Sequence, residues 1–339
     1  MTRPFRLAII GAGEITRQAH LPAALAAAGV EVAALVDPDA ARARALIERN
    51  QLTGARAFEG LDGALEGVDG ALIASPNHTH RALALRCVAA GVHALIEKPM
   101  TTTVEDAEAI VAAAEAARVT VGVGYCTRFL EPVQRMKALL DQDYFGPVRR
   151  FAYQFGTRGG WAPVSGYTLD RDATGGGVLV VSGTHFLDRM LFWFGYPDEV
   201  EYWDDSQGGP EASARARVVY KKGDRELIGD IFLSKTVALP AGFVMETPQG
   251  KVIFQEGGGG RLRFLPAARP ELVHEISPQA PVAQENMYVA QIEDFVAACR
   301  EGRAPLIPAR EGLDNVRLTS QMYASRQPLA EGWYDATGA

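Results

Sequence analysis

A chain of 339 residues is longer than one ordinary hydrophobic core organises, so two domains are expected. Its 47% hydrophobic and 22% charged content fits a packed globular protein and excludes a disordered one. A net charge of −7 with no basic face argues against nucleic acid. No apolar run approaches the ~20 residues of a bilayer span, so no membrane partner is expected.

MTRPFRLAIIGAG enters a first strand almost at once, which leaves no room for a signal peptide. RLAII (6–10) is followed by VEVAALVD (30–37), a second apolar strand that ends in an acid. GALIAS (70–75), VHALIE (92–97) and VTVGVG (119–124) continue the series, with alanine-rich helical stretches at 14–28, 38–50, 78–90 and 103–117. Near-continuous apolar strands joined by helices predict an α/β fold, a doubly wound parallel sheet covered on both faces, over residues 1–124.

The pattern changes after Gly124. Residues 129–142 and 177–195 read as helices. Strand-like segments follow at 198–204, 212–222, 225–235, 242–247, 250–255, 261–265 and 271–277, with YKKGDRE and TPQGKV as hairpin turns. Consecutive strands joined by tight turns predict a mostly antiparallel sheet in a second α/β domain, 125–339. GGGG (257–260) reads as a hairpin loop. Helices over 284–301, stopped by Gly302, and over 308–325 close the chain, the last expected to pack back on the N-terminal domain. Cys87, Cys126 and Cys299 are odd in number and widely spaced, which predicts neither a disulfide framework nor a metal site and makes a reducing cytoplasm the default.

The chemistry begins at AIIGAGEIT. Gly11 and Gly13 lie between a strand and a helix, where glycines permit a tight turn and close approach to a pyrophosphate at the helix start. Glu14 and Ile15 complete that loop. Asp37 ends the second strand at the right distance to hold a ribose hydroxyl pair. Thr16 stands where the motif's third glycine belongs, which weakens it. Dinucleotide binding is the reading that strand, turn, helix and acid share; a methyl-donor nucleoside site is the alternative. Asp37 would repel a 2′-phosphate, favouring NAD over NADP, although Arg42 leaves the question open.

ASPNHTH (74–80) and EKP (97–99) fall at the carboxyl ends of the fourth and fifth strands, where ligands bind in such sheets. Ser75, Pro76, Asn77, His80, Glu97 and Lys98 are therefore candidate cofactor residues, with one of His78 and His80 expected to be merely solvated. GGGVLVVSGTH (175–185) poses a choice. Its His185 reads either as a satisfied core histidine or as an acid–base group, with the glycines clearing room for a ligand. By helical spacing His185 shares a face with Val181, Asp188 and Phe192.

GAGEI, VDPD, SPNHTH, EKPM and GGGVLVVSGTHFLD, with GYCTRF, GPVRRF and EDFVAACREGRAP, resemble the glucose–fructose oxidoreductase / inositol dehydrogenase / MocA family, in the family's order along most of the chain. The resemblance implies a Rossmann-type nucleotide-binding domain and an α/β domain with a large open-faced sheet. It implies an NAD(P)-dependent dehydrogenase of a sugar, cyclitol or polyol, working as a homodimer or homotetramer. It places Lys98 and His185 at the nicotinamide as catalytic residues, and Arg128, Trp161, Thr184, Asp188 and Tyr288 near the substrate. The family usually carries an aspartate four residues before the histidine; here that position is Val181. An NAD-dependent glycosidase acting by transient oxidation, and a catalytically weak sugar- or nucleotide-binding protein, are the other readings.

Overall fold

The computed structural model describes residues 3–159, 167–256, 260–276 and 284–329. The chain divides into two compact units, Met1–Cys126 with Gln284–Val316, and Thr127–Ala283 with Arg317–Ala339. A cut drawn between 124 and 125 would leave the helix at 284–301 in the second domain; here it clusters with the first unit, as does the start of the last helix.

In the first unit, β1 (Phe5–Ile10), β2 (Val30–Val36), β3 (Arg56–Phe58), β4 (Gly70–Ile73), β5 (His93–Ile96) and β6 (Val121–Val123) form one parallel sheet, ordered β3-β2-β1-β4-β5-β6. Its central strands are apolar at successive positions because both faces are covered. A π-turn, Thr16–His20, runs into α1 (Leu21–Ala26); α2 (Ala40–Arg49), α3 (His80–Ala89) and α4 (Val104–Ala117) follow. Asp39 and Thr103 cap α2 and α4, each accepting a backbone N–H of the first turn. The strand order reverses between β1 and β4, and ligands bind outside the carboxyl ends of strands at such a switch. The segments bearing Gly11, Asp37, Ser75, Lys98 and Gly124 all leave strands at those ends.

The second unit contains α5 (Glu131–Asp141), β7 (Arg150–Gly156), α6 (Arg171–Thr174), and a π-turn, Leu179–Gly183, that leads into α7 (Thr184–Phe194). β8 (Glu199–Asp204), β9 (Ser213–Lys222), β10 (Arg225–Ser234), β11 (Leu239–Thr247), β12 (Gly250–Gln255), β13 (Arg261–Pro266) and β14 (His274–Glu275) follow. The chain continues through α8 (Gln284–Glu301) and α9 (Ala309–Ala324) to β15 (Arg326–Pro328). Nine strands make one sheet, ordered β14-β13-β12-β11-β7-β10-β9-β8-β15. It is antiparallel except where β7 pairs with β10 and β8 with β15.

β7, unanticipated from the sequence, lies in the middle of that sheet. Its Phe151 and Tyr153 alternate inward with Ile231 and Phe243 against Phe186, Met190 and Trp193 of α7. The strand expected over 271–277 is only His274–Glu275, and most of the GGGG loop and all of residue 161 lie outside the described residues. In the first unit, α8 adds Ile292, Phe295 and Val296 to the core around Leu7, Ile9, Leu35 and Leu72, with Phe295 edge-on to Phe5.

Candidate active site

The turn after β1 needs glycine once for its own packing. Gly11 has φ +102°, and a Cβ there would lie 2.5 Å from the Ala74 carbonyl oxygen. Gly13 differs, because a Cβ there meets no protein atom within 4 Å. Protein packing does not demand that glycine. The open space beside it suits close approach of a pyrophosphate, so the turn fits a dinucleotide. Thr16, the departure from the glycine motif, is buried and donates its hydroxyl hydrogen bond to the Gly11 carbonyl at 2.6 Å. The turn is thus held by a side chain where the motif uses a third glycine. Glu14 pairs with Arg17 and Gln18 at the surface, and Ile15 is 39% exposed.

Asp37 is buried. One carboxylate oxygen accepts the Ala12 N–H and the other the Asp39 N–H, both at 2.9 Å. Each oxygen keeps a second acceptor site, so the carboxylate is oriented by the backbone and still able to take a hydroxyl pair. Arg42 lies 3.4 Å from Asp39, which offsets its charge.

Beyond β4, the Ser75 hydroxyl meets that of Thr79 at 2.7 Å, Pro76 and His78 are exposed, and Asn77 is buried. His80 is the solvent-shielded histidine of the pair. Its Nδ1 lies 3.0 Å from the Pro99 carbonyl and its Nε2 2.9 Å from the Ser75 carbonyl. Burial pushes its pKa down, against the two carbonyls, which favour the protonated ring. The ring expected at the cofactor is enclosed between the loop after β4 and the loop after β5, with each nitrogen within hydrogen-bond distance of a carbonyl.

That second loop carries Glu97 and Lys98, with a cis peptide between Lys98 and Pro99. Glu97 accepts the Lys98 N–H at 2.9 Å and lies 2.8 Å from Nε2 of His20. Burial alone would raise the Glu97 carboxyl. The hydrogen bond and electrostatic pull of His20, then the charge and N–H of Lys98, outweigh it and bring the pKa down to about 2. Burial lowers the Lys98 amine below the ordinary lysine range, only partly opposed by Glu97 and Cys126. Tyr288, expected near the substrate, lies edge-on to His20 at 5.4 Å between ring centres, and burial pushes its phenol up.

His20 is the residue that sequence reasoning missed. Its signal was present: it follows Thr16 by four, both buried, so a polar stripe faces inward on an otherwise apolar QAHLPAALA helix.

In the second unit the glycines before His185 have a packing explanation. A Cβ on Gly177 would lie 2.1 Å from the Glu211 carbonyl oxygen, and one on Gly176, at φ +154°, 2.0 Å from the Tyr323 hydroxyl. The room these glycines clear is filled by the protein. Glu211 accepts the N–H groups of Gly177 and Leu179 and the hydroxyl of Tyr323, each at 2.9 Å, and so caps the π-turn that leads to His185. Burial pushes the Glu211 carboxyl up despite those donors.

His185 itself is half-buried on α7, as is Val181 on the π-turn, whose N–H donates to the Gly177 carbonyl at 2.9 Å. Thr184 is buried, its hydroxyl donating to the Val180 carbonyl at 2.8 Å. Arg128 and Asp188, both expected to hold substrate, hold each other. Two hydrogen bonds of 2.8 and 2.7 Å join side chains 1% and 0% exposed, with the guanidinium 4.8 Å from the Phe192 ring centre. Trp161 lies outside the described residues.

Comparison with known proteins bears on both units. Residues 5–125 match the model of an oxidoreductase family with an NAD-binding Rossmann fold, GFO/IDH/MocA, and residues 133–251 match the model of the GFO/IDH/MocA C-terminal domain. The rhizopine catabolism protein MocA of Rhizobium meliloti is 34% identical over 310 residues, 89% of this chain and 88% of that one. The D-glucoside 3-dehydrogenase of Escherichia coli K12 is 27% identical over 347 residues, 96% of each chain. The crystal structure of an aldose–aldose oxidoreductase from Caulobacter crescentus, complexed with glycerol, shares the fold with a TM-score of 0.85 at 22% identity, over 95% of this chain and 97% of that one.

Proposed function

Because the chain belongs to the GFO/IDH/MocA family of NAD-binding oxidoreductases, we propose that it oxidises, reversibly, a secondary alcohol of a sugar, cyclitol or related polyol. The relative named as a D-glucoside 3-dehydrogenase supports that substrate class. Bound NAD supplies the hydride acceptor. Gly11, Gly13 and the segment to Ile15 would hold its pyrophosphate, Asp37 its ribose, and Ser75, Pro76, Asn77 and Glu97 would shape the edge beyond. The buried Asp37 carboxylate disfavours a 2′-phosphate, which makes NADP the poorer cofactor.

Lys98 carries the proposal. A half-buried lysine at the carboxyl end of β5, next to one ionised carboxylate, is placed to bind the reacting oxygen and stabilise the negative charge that develops on it. His185 would accept the hydroxyl proton. Arg128 and Asp188, buried in an ion pair, and the buried Thr184 would act on substrate by fixing α7 and its His185, and Tyr288 by packing on His20. A homodimer or homotetramer in the cytoplasm belongs to the same proposal. No helix among the described residues is long and apolar enough to cross a membrane.

Lys98→Ala is the test, assayed with NAD across D-glucose, methyl β-D-glucoside and myo-inositol. Turnover on whichever the wild type oxidises should fall about 10²–10³-fold, with NADH affinity unchanged in a calorimetric titration. Near wild-type turnover would remove Lys98 from the chemistry.

A further inference from the structure

Four segments of the first unit meet around one carboxylate. Glu97 offers one oxygen to His20 on the π-turn at 2.8 Å and the other to the Lys98 N–H at 2.9 Å. Gly124, just past β6, leaves room for it, since a Cβ there would lie 3.2 Å from both the Cα and Oε1 of Glu97. Tyr288 on α8 covers His20 edge-on. His20 is 1% exposed, and its Nδ1 has no partner among the described residues. An apolar residue at this buried helical position would pack without leaving a polar atom unsatisfied. The bond to Glu97 is the interaction that the imidazole adds.

We infer that His20 is a positioning residue for Lys98, holding the Glu97 carboxylate, which in turn accepts the Lys98 backbone N–H and so fixes the loop that carries the amine. The inference rests on the reading of Lys98 as the group that binds the reacting oxygen. It also joins two parts of the site: the π-turn that starts at Thr16, hydrogen-bonded to Gly11 of the nucleotide turn, ends on His20, hydrogen-bonded to the lysine loop.

The direction of the effect follows from the charges. Facing Lys98 are Glu97 and the Cys126 thiol; facing Glu97 are His20, Lys98, Tyr288 and, at longer range, His80. Glu97 is the carboxylate in this set, and an ionised carboxylate favours a protonated amine beside it. At the pH where an amine titrates Glu97 is ionised with or without His20, so the loss acts through orientation: a carboxylate no longer held by His20 turns away from the lysine loop, and Lys98 then gives up its proton at lower pH. Turnover that needs the ammonium would then fade at lower pH on the alkaline side.

The test compares His20→Ala, His20→Gln and His20→Asn in the full chain. The Gln amide can reach Glu97; the shorter Asn amide cannot. One readout is independent of turnover: titration of the Lys98 signal in protein carrying 13C at lysine Cε, identified by its loss in Lys98→Arg. The other is the pH profile of kcat on the substrate found in the panel above. In His20→Ala and His20→Asn the Lys98 midpoint and the alkaline limb should both fall by about half a pH unit or more. For those variants kcat at neutral pH should drop about tenfold with little change in KM, while His20→Gln restores most of it. If His20→Ala does not fold, the contrast between Asn and Gln decides. An unmoved Lys98 midpoint in His20→Asn, or equal losses in Asn and Gln, overturns the inference. A Lys98→Ala enzyme that still turns over overturns the functional reading instead, and the Lys98 titration separates the two failures.

Discussion

Segments 11–20 and 175–185 each run from glycines through a π-turn to a histidine, His20 closing the first and His185 standing two residues past the second. In the first, Gly13 opens onto empty space while Thr16 and His20 bond inward, to Gly11 and Glu97. In the second, Gly176 and Gly177 are filled by Tyr323 and Glu211, and the histidine beyond them is half-buried. Similar letters therefore serve different ends: Gly13 stands beside open space, whereas Gly11, Gly176 and Gly177 let other parts of the protein close on them. The two carboxylates diverge as well. Glu97 faces a lysine and a histidine and stays ionised, whereas Glu211 accepts from two backbone N–H groups and a tyrosine hydroxyl, and burial pushes it toward its protonated form.

The contrast breaks most visibly at the glycines. A Cβ at Gly177 meets the Glu211 carbonyl oxygen at 2.1 Å and its nitrogen at 2.4 Å, backbone atoms that cannot swing aside. Gly177→Ala should cost on the order of 3 kcal/mol or more, read as a lower melting temperature or insoluble protein. Gly13→Ala should change stability by no more than about 1 kcal/mol, because nothing opposes the methyl group and no left-handed backbone is involved. Its NADH affinity should nevertheless fall at least about tenfold, about 1.4 kcal/mol. A Gly177→Ala protein that melts like wild type, or a Gly13→Ala protein that melts early yet binds NADH normally, would reverse the assignment of roles.

The carboxylates give a smaller effect of opposite sign. Glu97 has a folded pKa of about 2 against an ordinary 4.5, so its contribution is full above 4.5 and is lost as pH falls toward 2. Glu97→Gln should flatten that acid loss, on the order of 2–3 kcal/mol in denaturant melts of wild type. Glu211 has a raised folded pKa, so wild type loses stability as pH rises from the ordinary carboxyl value through the folded one. Glu211→Gln should remove that loss while keeping acceptor and size. Melts of the two variants between pH 2 and 7 that moved in the same direction would refute the distinction.

Much of this was legible in the sequence, and the limits have physical causes. The parallel sheet follows from apolar runs of a length and spacing that only strands covered on both faces display. Asp37 and Lys98 could be placed because each stands at the end of such a strand. β7 was missed because RFAYQFG has no turn signal before a neighbouring strand: its partners β10 and β11 lie far along the chain. The purpose of 175–177 was undecidable locally, since Glu211 and Tyr323 fill that space from 34 or more residues away. Arg128 and Asp188 each read as a polar group seeking a ligand; their separation of 60 residues hid that they satisfy each other. His20 was visible as a buried polar stripe, but its partner Glu97 is 77 residues distant.

The finest distinction between the two histidines is what supports them. His20 has a carboxylate at 2.8 Å, while the position four residues before His185 is Val181. Val181→Asp supplies a carboxyl group on the π-turn, about one helical turn from the imidazole. An opposite charge at that range favours the protonated ring, so if His185 is the base its acid limb should move to higher pH. A more basic imidazole also takes a proton more readily, and oxidation above that limb should speed by a few-fold where proton transfer limits the rate. Val181 is half-buried and the turn around it is held by Glu211, so the new carboxyl should lower stability by about 1 kcal/mol as it loses part of its water. The comparison needs pH–rate profiles and melting temperatures of both proteins. A faster variant with a shifted acid limb makes His185 a base working without its usual partner. A variant that melts lower, with the same profile and no gain in rate, counts against His185 as a base that lacks its carboxylate and favours Val181 as a packing residue of a turn held by Glu211.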